Sequence, residues 1–277
     1  MKLPMNQAFA ALCVYAMAGA HAAIAAEPLP PVDKAYVGAG VYGVEDRLSG
    51  RWDSSTLRGT SFNVERDLGF DTRENTSVWA LGAAFGASRQ HKLDLVGYRY
   101  SDNGQRTLTS NLLINGNVYP IGGNFSGSLD VGVIAASYTW MFYRTDRQAA
   151  GLGLGLVQYD FDASLAVETI AAGLPVRTVN ALGSKAVAPL LSAEYVRSLG
   201  NGWRVGTGVS YVRADRDGVD GEAIDAHVRT EWFPWEHVGF GLRYNYNEID
   251  LDFDRRQFKG NLDVRNQGFQ FFVMARY

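Results

Sequence analysis

From about residue 35 to its end, the chain alternates apolar with polar or small residues instead of massing the apolar ones in helical runs. In VWALGAAFGA (78–87), Trp79, Leu81, Ala83 and Phe85 share one face, and Ala80, Gly82, Ala84 and Gly86 the other. WRVGTGVSYV (203–212) sets Trp203, Val205, Val209 and Tyr211 against Arg204, Gly206, Gly208 and Ser210. AHVRTEWF (226–233) sets Val228, Thr230 and Trp232 against His227, Arg229 and Glu231. A period of two is the strand period. It predicts strands near 35–45, 77–87, 91–102, 126–143, 149–165, 184–197, 202–213, 222–233, 237–251 and 264–277. The phase slips in places. Leu93 and Leu95 share one face but Tyr98 and Tyr100 the other, which predicts a bulge at Gly97, with similar slips near Val157 and Asn247.

The connections sort themselves. Those near 88–90, 144–148, 198–201 and 234–236 are tight, and those between, about 46–76, 103–125, 166–183, 214–221 and 252–263, are mostly long and polar. A soluble sandwich has no reason to alternate short and long loops. A transmembrane barrel does, with short turns on one rim, long loops on the other and, for an even strand count, both termini on the short-turn rim. The expected fold is all-β: a closed antiparallel up-and-down transmembrane barrel of about ten strands, with eight or twelve reached by a single misread strand. Trp79 falls at the predicted loop end of its strand, and Trp140, Trp203, Trp232 and Trp235 at turn ends, where interfacial aromatic girdles belong. Tyr138, Phe142, Tyr159, Phe161, Tyr244 and Tyr246 also fall near strand ends, while Trp52 sits alone in a loop.

Composition sharpens this picture. Of 277 residues, 47% are hydrophobic and 31 are glycine, yet beyond the first 25 residues no stretch approaches the roughly 20 apolar residues of a membrane helix. Those first residues carry Lys2 as their only charge, an apolar run from Ala8 to Ala20, and A-x-A patterns at 20–22 and 23–25. They read as a secretory signal peptide cleaved after Ala22 or Ala25, the apolar run being too short for a permanent anchor. Cys13, the single cysteine, lies inside it, and Ala10 and Leu12 are the wrong residues for lipid attachment there. The mature chain then has no disulfide, thiol nucleophile or cysteine metal site. Residues 26–34, with Glu27-Pro28-Leu29-Pro30-Pro31, form a stiff lead-in, and 35–277 one barrel domain. The net charge of −3, or −4 without Lys2, comes with no basic stripe, so nucleic acid is not an expected partner. No cofactor or metal site is expected.

The chain ends GFQFFVMARY, with Phe269, Phe271, Val273, Ala275 and Tyr277 on one face. This resembles the closing strand of Gram-negative outer-membrane β-barrel proteins, whose final aromatic residue belongs to the signal read by the barrel-assembly machinery. The resemblance implies an outer-membrane location with both termini periplasmic. It also implies outer-membrane lipid and lipopolysaccharide as surroundings, and periplasmic chaperones and the assembly machinery as partners in biogenesis. It is silent about activity, since one fold hosts many functions.

Inside such a barrel the other face would carry Asp94, Arg99, Glu194, Arg204, Asp225, His227, Arg229, Glu231, Arg243, Asn245, Gln270 and Arg276. Buried charges must pair, and barrels of about eight strands are filled by side chains while open channels appear near 16–18. A polar plug is therefore expected over a wide conduit. Ten-stranded barrels include the omptin proteases, in which an aspartate–histidine pair and an aspartate pair near the outer rim activate a water. Asp225-Ala226-His227 and Asp160-Phe161-Asp162 are the residues here that resemble such pairs, and nothing else along the chain looks omptin-like. His91 and His237 fall at the tight-turn rim. The acidic runs DRDGVDGE (215–222) and DLDFDRR (250–256) read as solvated loops, Asn115-Gly116 as a hairpin turn in a ribbon extending strands three and four, and TSFNVERDLGF (60–70) as a loop with a short strand of its own. The leading expectation is a non-enzymatic barrel with a structural or narrow small-solute passage role. A surface-binding protein using the long loops comes second, and an omptin-like hydrolase or lipid-modifying enzyme third.

Overall fold

A computed structural model describes residues 29–53, 59–69, 73–86, 88–114, 117–171, 174–216, 219–255 and 258–277. The expected signal peptide, Cys13 within it and the Asn115-Gly116 turn lie outside the described residues, as does the side chain of Trp52. The elements are β1 Ala35–Asp53, β2 Ser61–Asn63, a single π-helical turn Val64–Leu68, β3 Arg73–Phe85, β4 His91–Thr107, β5 Leu112–Ile114, β6 Asn117–Tyr119, β7 Asn124–Arg144, β8 Gln148–Ala171, β9 Leu174–Gly200, β10 Trp203–Arg216, β11 Val219–Trp232, β12 Val238–Arg255 and β13 Phe258–Arg276.

Ten of these strands form one antiparallel wall, each paired with its neighbour in sequence order, and β13 returns to pair with β1 from Tyr36↔Arg276 to Asp53↔Lys259. The barrel is closed, which removes the sheet edge that a bilayer could not tolerate. Short turns join the strands at one rim. At Gly200-Asn201-Gly202-Trp203 the two central residues, Asn201 and Gly202, both take positive φ (50° and 79°). A two-residue hairpin of the Asn-Gly kind requires that conformation.

Exposure along the wall shows what the outer face meets. Val37, Val41, Leu81, Leu93, Ile134, Leu152, Leu154, Leu156, Leu191, Leu242, Phe269 and Phe271 point outward, Leu154 and Phe269 each 61% exposed. On each strand this apolar series ends at a polar outward residue after about four or five outward positions: Glu45, Ser77, Arg99, Gln158, Lys185, Arg213, Glu222 and Glu248 among them. Eight residues of a strand tilted by about 40° rise about 21 Å, close to the roughly 25 Å band of outer-membrane barrels. The short-turn edge of the band is ringed with aromatics. Trp203 stacks on Trp232 at 6.0 Å, Trp232 and Trp235 flank Phe240, and Trp140 lies against Phe142.

The strands run farther past the band than the alternation of apolar residues suggests. β8 has 24 residues and β9 has 27, and their pairing continues to Ala171↔Leu174. The described residues of the acidic runs expected as loops are paired strand instead, with Asp215 opposite Asp220 and Asp250 opposite Asp263. Outside the bilayer the outer face meets water, so apolar residues there turn inward. Val133, Val157, Ala188, Val212 and Ala223 form a buried cluster within the lumen, joined by Tyr98, Tyr159 and Ile249. This inversion also accounts for the phase slips. No bulge exists at Gly97: the pairing of β4 runs unbroken from His91 to Thr107, and Tyr98 and Tyr100 sit on the lumen face in regular alternation. The pairings through Val157 and Asn247 are likewise continuous. Register does shift at Trp140–Tyr143 and Trp203–Arg204, both beside the short turns.

Above the long-loop rim, β5 and β6 pair as a separate hairpin, and β2 pairs with β1. They do not stand clear of the barrel. Leu112 and Tyr119 pack with Leu68, Leu108, Phe125 and Val167 into a second apolar cluster, against which Leu48, Phe62 and Leu129 rest.

Candidate functional site

The lower lumen is lined by charge, around a cavity of about 110 Å³. Arg204, from β10, places Nε 2.5 Å from Glu231 Oε2 and Nη2 2.8 Å from Asp33 Oδ2, and its Nη1 donates to the Pro30 carbonyl at 3.2 Å. Arg276 Nη1 reaches the other oxygen of Asp33 at 3.1 Å, and Arg229 Nε lies 3.0 Å from Glu231 Oε1. Higher up, Lys92 bridges Asp94 (3.1 Å) and Glu194, while the Tyr36 hydroxyl donates to Asp94 Oδ1 at 2.7 Å. Four cations thus meet four carboxylates, and their mutual attraction and hydrogen bonds offset the large desolvation cost of holding charge inside a barrel. The wall makes room for them with glycine. A Cβ on Gly82 would stand 2.4 Å from the Tyr36 ring and 2.6 Å from Asp94 Oδ1.

The segment before β1 completes this plug. Pro31, Val32 and Asp33, expected as a lead-in without a core, fold into the short-turn mouth and are buried. Val32 packs on Met141 and Ala149. Its carbonyl accepts from Arg89 Nη1 at 3.0 Å. The guanidiniums of Arg204 and Arg276 lie over the Phe233 ring at 5.1 and 4.8 Å. Burial pushes the Asp33 carboxyl up, but Arg204 and Arg276 more than reverse this and hold it below the usual carboxylate range.

Above the plug the lumen changes character. A cavity of about 220 Å³ is walled by Val44, Val131, Val133, Tyr159, Phe161, Ile249 and Leu251, among others, with Leu48 and Leu129 linking it to the apolar cluster of the loops. A membrane barrel usually keeps its interior polar. Here the polar lining gathers mostly at the floor, with Asp225, Arg243, Asn245, Asn247 and Asn266, while Thr76, Asp102 and Glu65 add polar groups elsewhere on the wall. Asp225 Oδ1 is 3.7 Å from both His227 Nδ1 and Arg243 Nη2. Among the described residues, three buried floor atoms find no hydrogen-bond partner, Arg243 Nε, Asn247 Oδ1 and Asn266 Oδ1, nor do the ring nitrogens of His227, which does not line the cavity.

The residues anticipated inside the barrel divide as follows. Asp94, Glu194, Arg204, Asp225, His227, Arg229, Glu231, Arg243, Asn245, Gln270 and Arg276 face the lumen. Arg99 does not: it is the exposed outward residue on β4 just past the apolar band, because the assumed bulge at Gly97 is absent. Asp160 and Asp162 are also outward, on β8, and Asp160 pairs with Lys185 at 2.8 Å on the outer surface. The wall therefore separates them from Asp225 and His227, and the four residues do not form a site together. Tyr159 and Phe161 line the cavity instead of an outer girdle, and Trp79 lies mid-strand, its ring over Gly97. Trp140, Trp203, Trp232 and Trp235 stand at the short-turn edge, His91 there holds the Tyr138 hydroxyl at 2.7 Å, and His237 is exposed. Phe269, Phe271, Val273 and Ala275 face outward, and the Tyr277 backbone closes on Lys34 and Ala35. Two charged residues of the plug escaped the sequence reading. Lys92 shares a face with Asp94 two positions away, a signal that was present. Asp33 enters only because the chain folds back, which no local pattern announces.

No family model matches the sequence, and no curated protein matches it. Among solved structures, the outer membrane protease OmpT from Escherichia coli aligns at a TM-score of 0.52 and 7% identity, covering 89% of this chain and 97% of that one. The transport unit of the autotransporter AIDA-I, also from Escherichia coli, aligns at a TM-score of 0.44 and 11% identity over the whole of both chains. At such identities the likeness is one of fold: this chain has the closed ten-strand architecture of a Gram-negative outer-membrane β-barrel.

Proposed function

We propose that this protein is a non-enzymatic, plugged outer-membrane barrel whose role is structural and surface-facing, not that of a standing open pore. The observation carrying this is the ion-paired plug, in which Arg204 joins Glu231 on the adjacent strand to Asp33 and Pro30 of the N-terminal segment, and Arg276 of β13 reaches the same Asp33. Any solute passing the short-turn mouth would have to displace it. On this reading both termini are periplasmic and the chamber opens toward the outside. Outward cations just beyond the apolar band, such as Arg99, Arg213 and Arg265, suit the phosphates of lipopolysaccharide. The closing strand with Phe269, Phe271 and Tyr277 suits recognition by the barrel-assembly machinery and its chaperones. In planar bilayers the purified protein should give no discrete conductance steps; stable steps from the unaltered chain would overturn this reading.

A surface-binding role draws support from the β8–β9 hairpin, which stays paired for about 14 residues beyond the apolar band, a rise of about 35 Å. Trimming residues 166–183 should abolish attachment to cells or matrix while leaving barrel folding intact. Unchanged attachment would remove this second reading.

A further inference from the structure

We propose that the upper chamber is a binding site for a small amphipathic molecule: an apolar body of one or two rings' size with a single uncharged hydrogen-bonding end. Three observations point to it. The first is the wall. Val131, Val133, Tyr159, Phe161, Ile249 and Leu251 present apolar or aromatic surface to a lumen that has no lipid behind it. Such a surface gives little hold to water and favours an apolar guest. The second is size. An engineered apolar cavity of about 150 Å³ takes up benzene, and this chamber, at about 220 Å³, has room for more.

The third is the floor. Arg243 Nε is a buried donor without an acceptor, and Asn247 Oδ1 and Asn266 Oδ1 are buried acceptors without a donor. An unmet buried polar group costs about 1–3 kcal/mol, so such groups normally have partners. Their mixture of donor and acceptor matches a hydroxyl or amide, which gives and takes a hydrogen bond at one atom group. Charge decides against an anion. Arg243 already faces Asp225 at 3.7 Å, so a carboxylate head would bring a second negative charge to a locally balanced pair.

The test uses the full-length mature protein in lipid nanodiscs, with fluorine NMR of 4-fluorobenzyl alcohol and of 4-fluorotoluene, which lacks the hydroxyl. Empty nanodiscs report partition into lipid. Saturable binding of the alcohol is expected beyond that background, with the toluene about tenfold weaker. Val131→Trp should fill the chamber and abolish both. Asn247→Leu, a smaller change should Val131→Trp fail to fold, should weaken the alcohol about tenfold and spare the toluene. Uptake that never saturates, or binding that survives both folded variants, overturns the proposal. Conductance measured on the same preparation reads the plug separately, so a sealed but non-binding barrel refutes only the chamber.

Discussion

Replacing Arg204 by methionine removes the cation that joins Asp33 to Glu231 while keeping an apolar stem over Phe233. The three side chains are 4%, 3% and 5% exposed, so water cannot take over the lost contacts. Breaking a buried ion pair on one side costs about 3–5 kcal/mol. The lower end applies, because each carboxylate keeps a second cation: Arg276 at 3.1 Å from Asp33 and Arg229 at 3.0 Å from Glu231. A loss of about 3 kcal/mol, at about 2–4 °C per kcal/mol for a domain of this size, lowers the melting temperature by about 6–12 °C. The temperature at which the folded band shifts in gel mobility reads this directly, and a urea titration gives the free energy. Arg204→Lys separates charge from packing: an ammonium satisfies one carboxylate well but not both, so its loss should be intermediate. Arg204→Met also releases the Pro30 carbonyl and leaves Asp33 held by Arg276 alone, and bilayer recordings should then show steps absent from the parent. A methionine variant within about 0.5 kcal/mol of the parent, the range of ordinary surface changes, and equally silent in the bilayer would refute the plug.

Other consequences are equally concrete. Gly82→Val should drive a methyl into the Tyr36–Asp94 hydrogen bond and destabilise by about 1–3 kcal/mol, while Ala83→Val, on the outer face, should be tolerated; unfolding midpoints compare them. Because the folded Asp33 carboxyl ionises below its ordinary value, its contribution is complete above about pH 4 and disappears as pH falls through the depressed value. Conductance should therefore stay shut from pH 7 to about 4 and appear only below it, and Asp33→Asn should remove that threshold. Phe125, 1% exposed in the loop cluster, should on truncation to alanine loosen the cap locally. Hydrogen exchange should rise in β5, β6 and the π-helical turn and remain unchanged in β10–β13.

The parts of the fold legible in the sequence are those where lipid enforces alternation. β10 and β11 were readable to within three residues at either end, because Trp203 to Tyr211 and Ile224 to Trp232 keep their greasy residues on one side throughout. The short turns were readable for a related reason: Asn201-Gly202 is a local signal that owes nothing to distant contacts. What stayed hidden lies past the bilayer. There Asp160, Asp162, Glu248 and Asp250 point outward into water and Tyr159, Phe161, Ile249 and Leu251 point inward, so the same period of two carries the opposite sign. Read with the lipid-facing sign, those stretches look like bulges or polar loops. Arg99 was misassigned by that route. The candidate site was half legible: the charges of the plug lie on strands with clear phase, whereas the chamber's apolar lining looked like outer girdle.

The change of sign has one physical cause and fixes where the chamber must lie. At every level of the wall one face is shielded from water and the other has to be accounted for. Within the bilayer lipid covers the outer face, so apolar residues go out and the lumen is left with polar groups, which pair as Lys92, Asp94, Glu194, Arg204, Arg229 and Glu231 do. Beyond the bilayer the outer face is wet, and Glu45, Arg99, Lys185 and Glu248 appear there. The lumen is then the only place left for apolar side chains, as in the core of a soluble barrel. The boundary between plug and chamber and the boundary between lipid and water are therefore the same boundary, crossed by each strand at the position where its outward residue first becomes polar. A ligand held in the chamber would rest on charged groups at membrane level and against apolar walls above it, on the loop side of the plug, and its exchange would not require the plug to move.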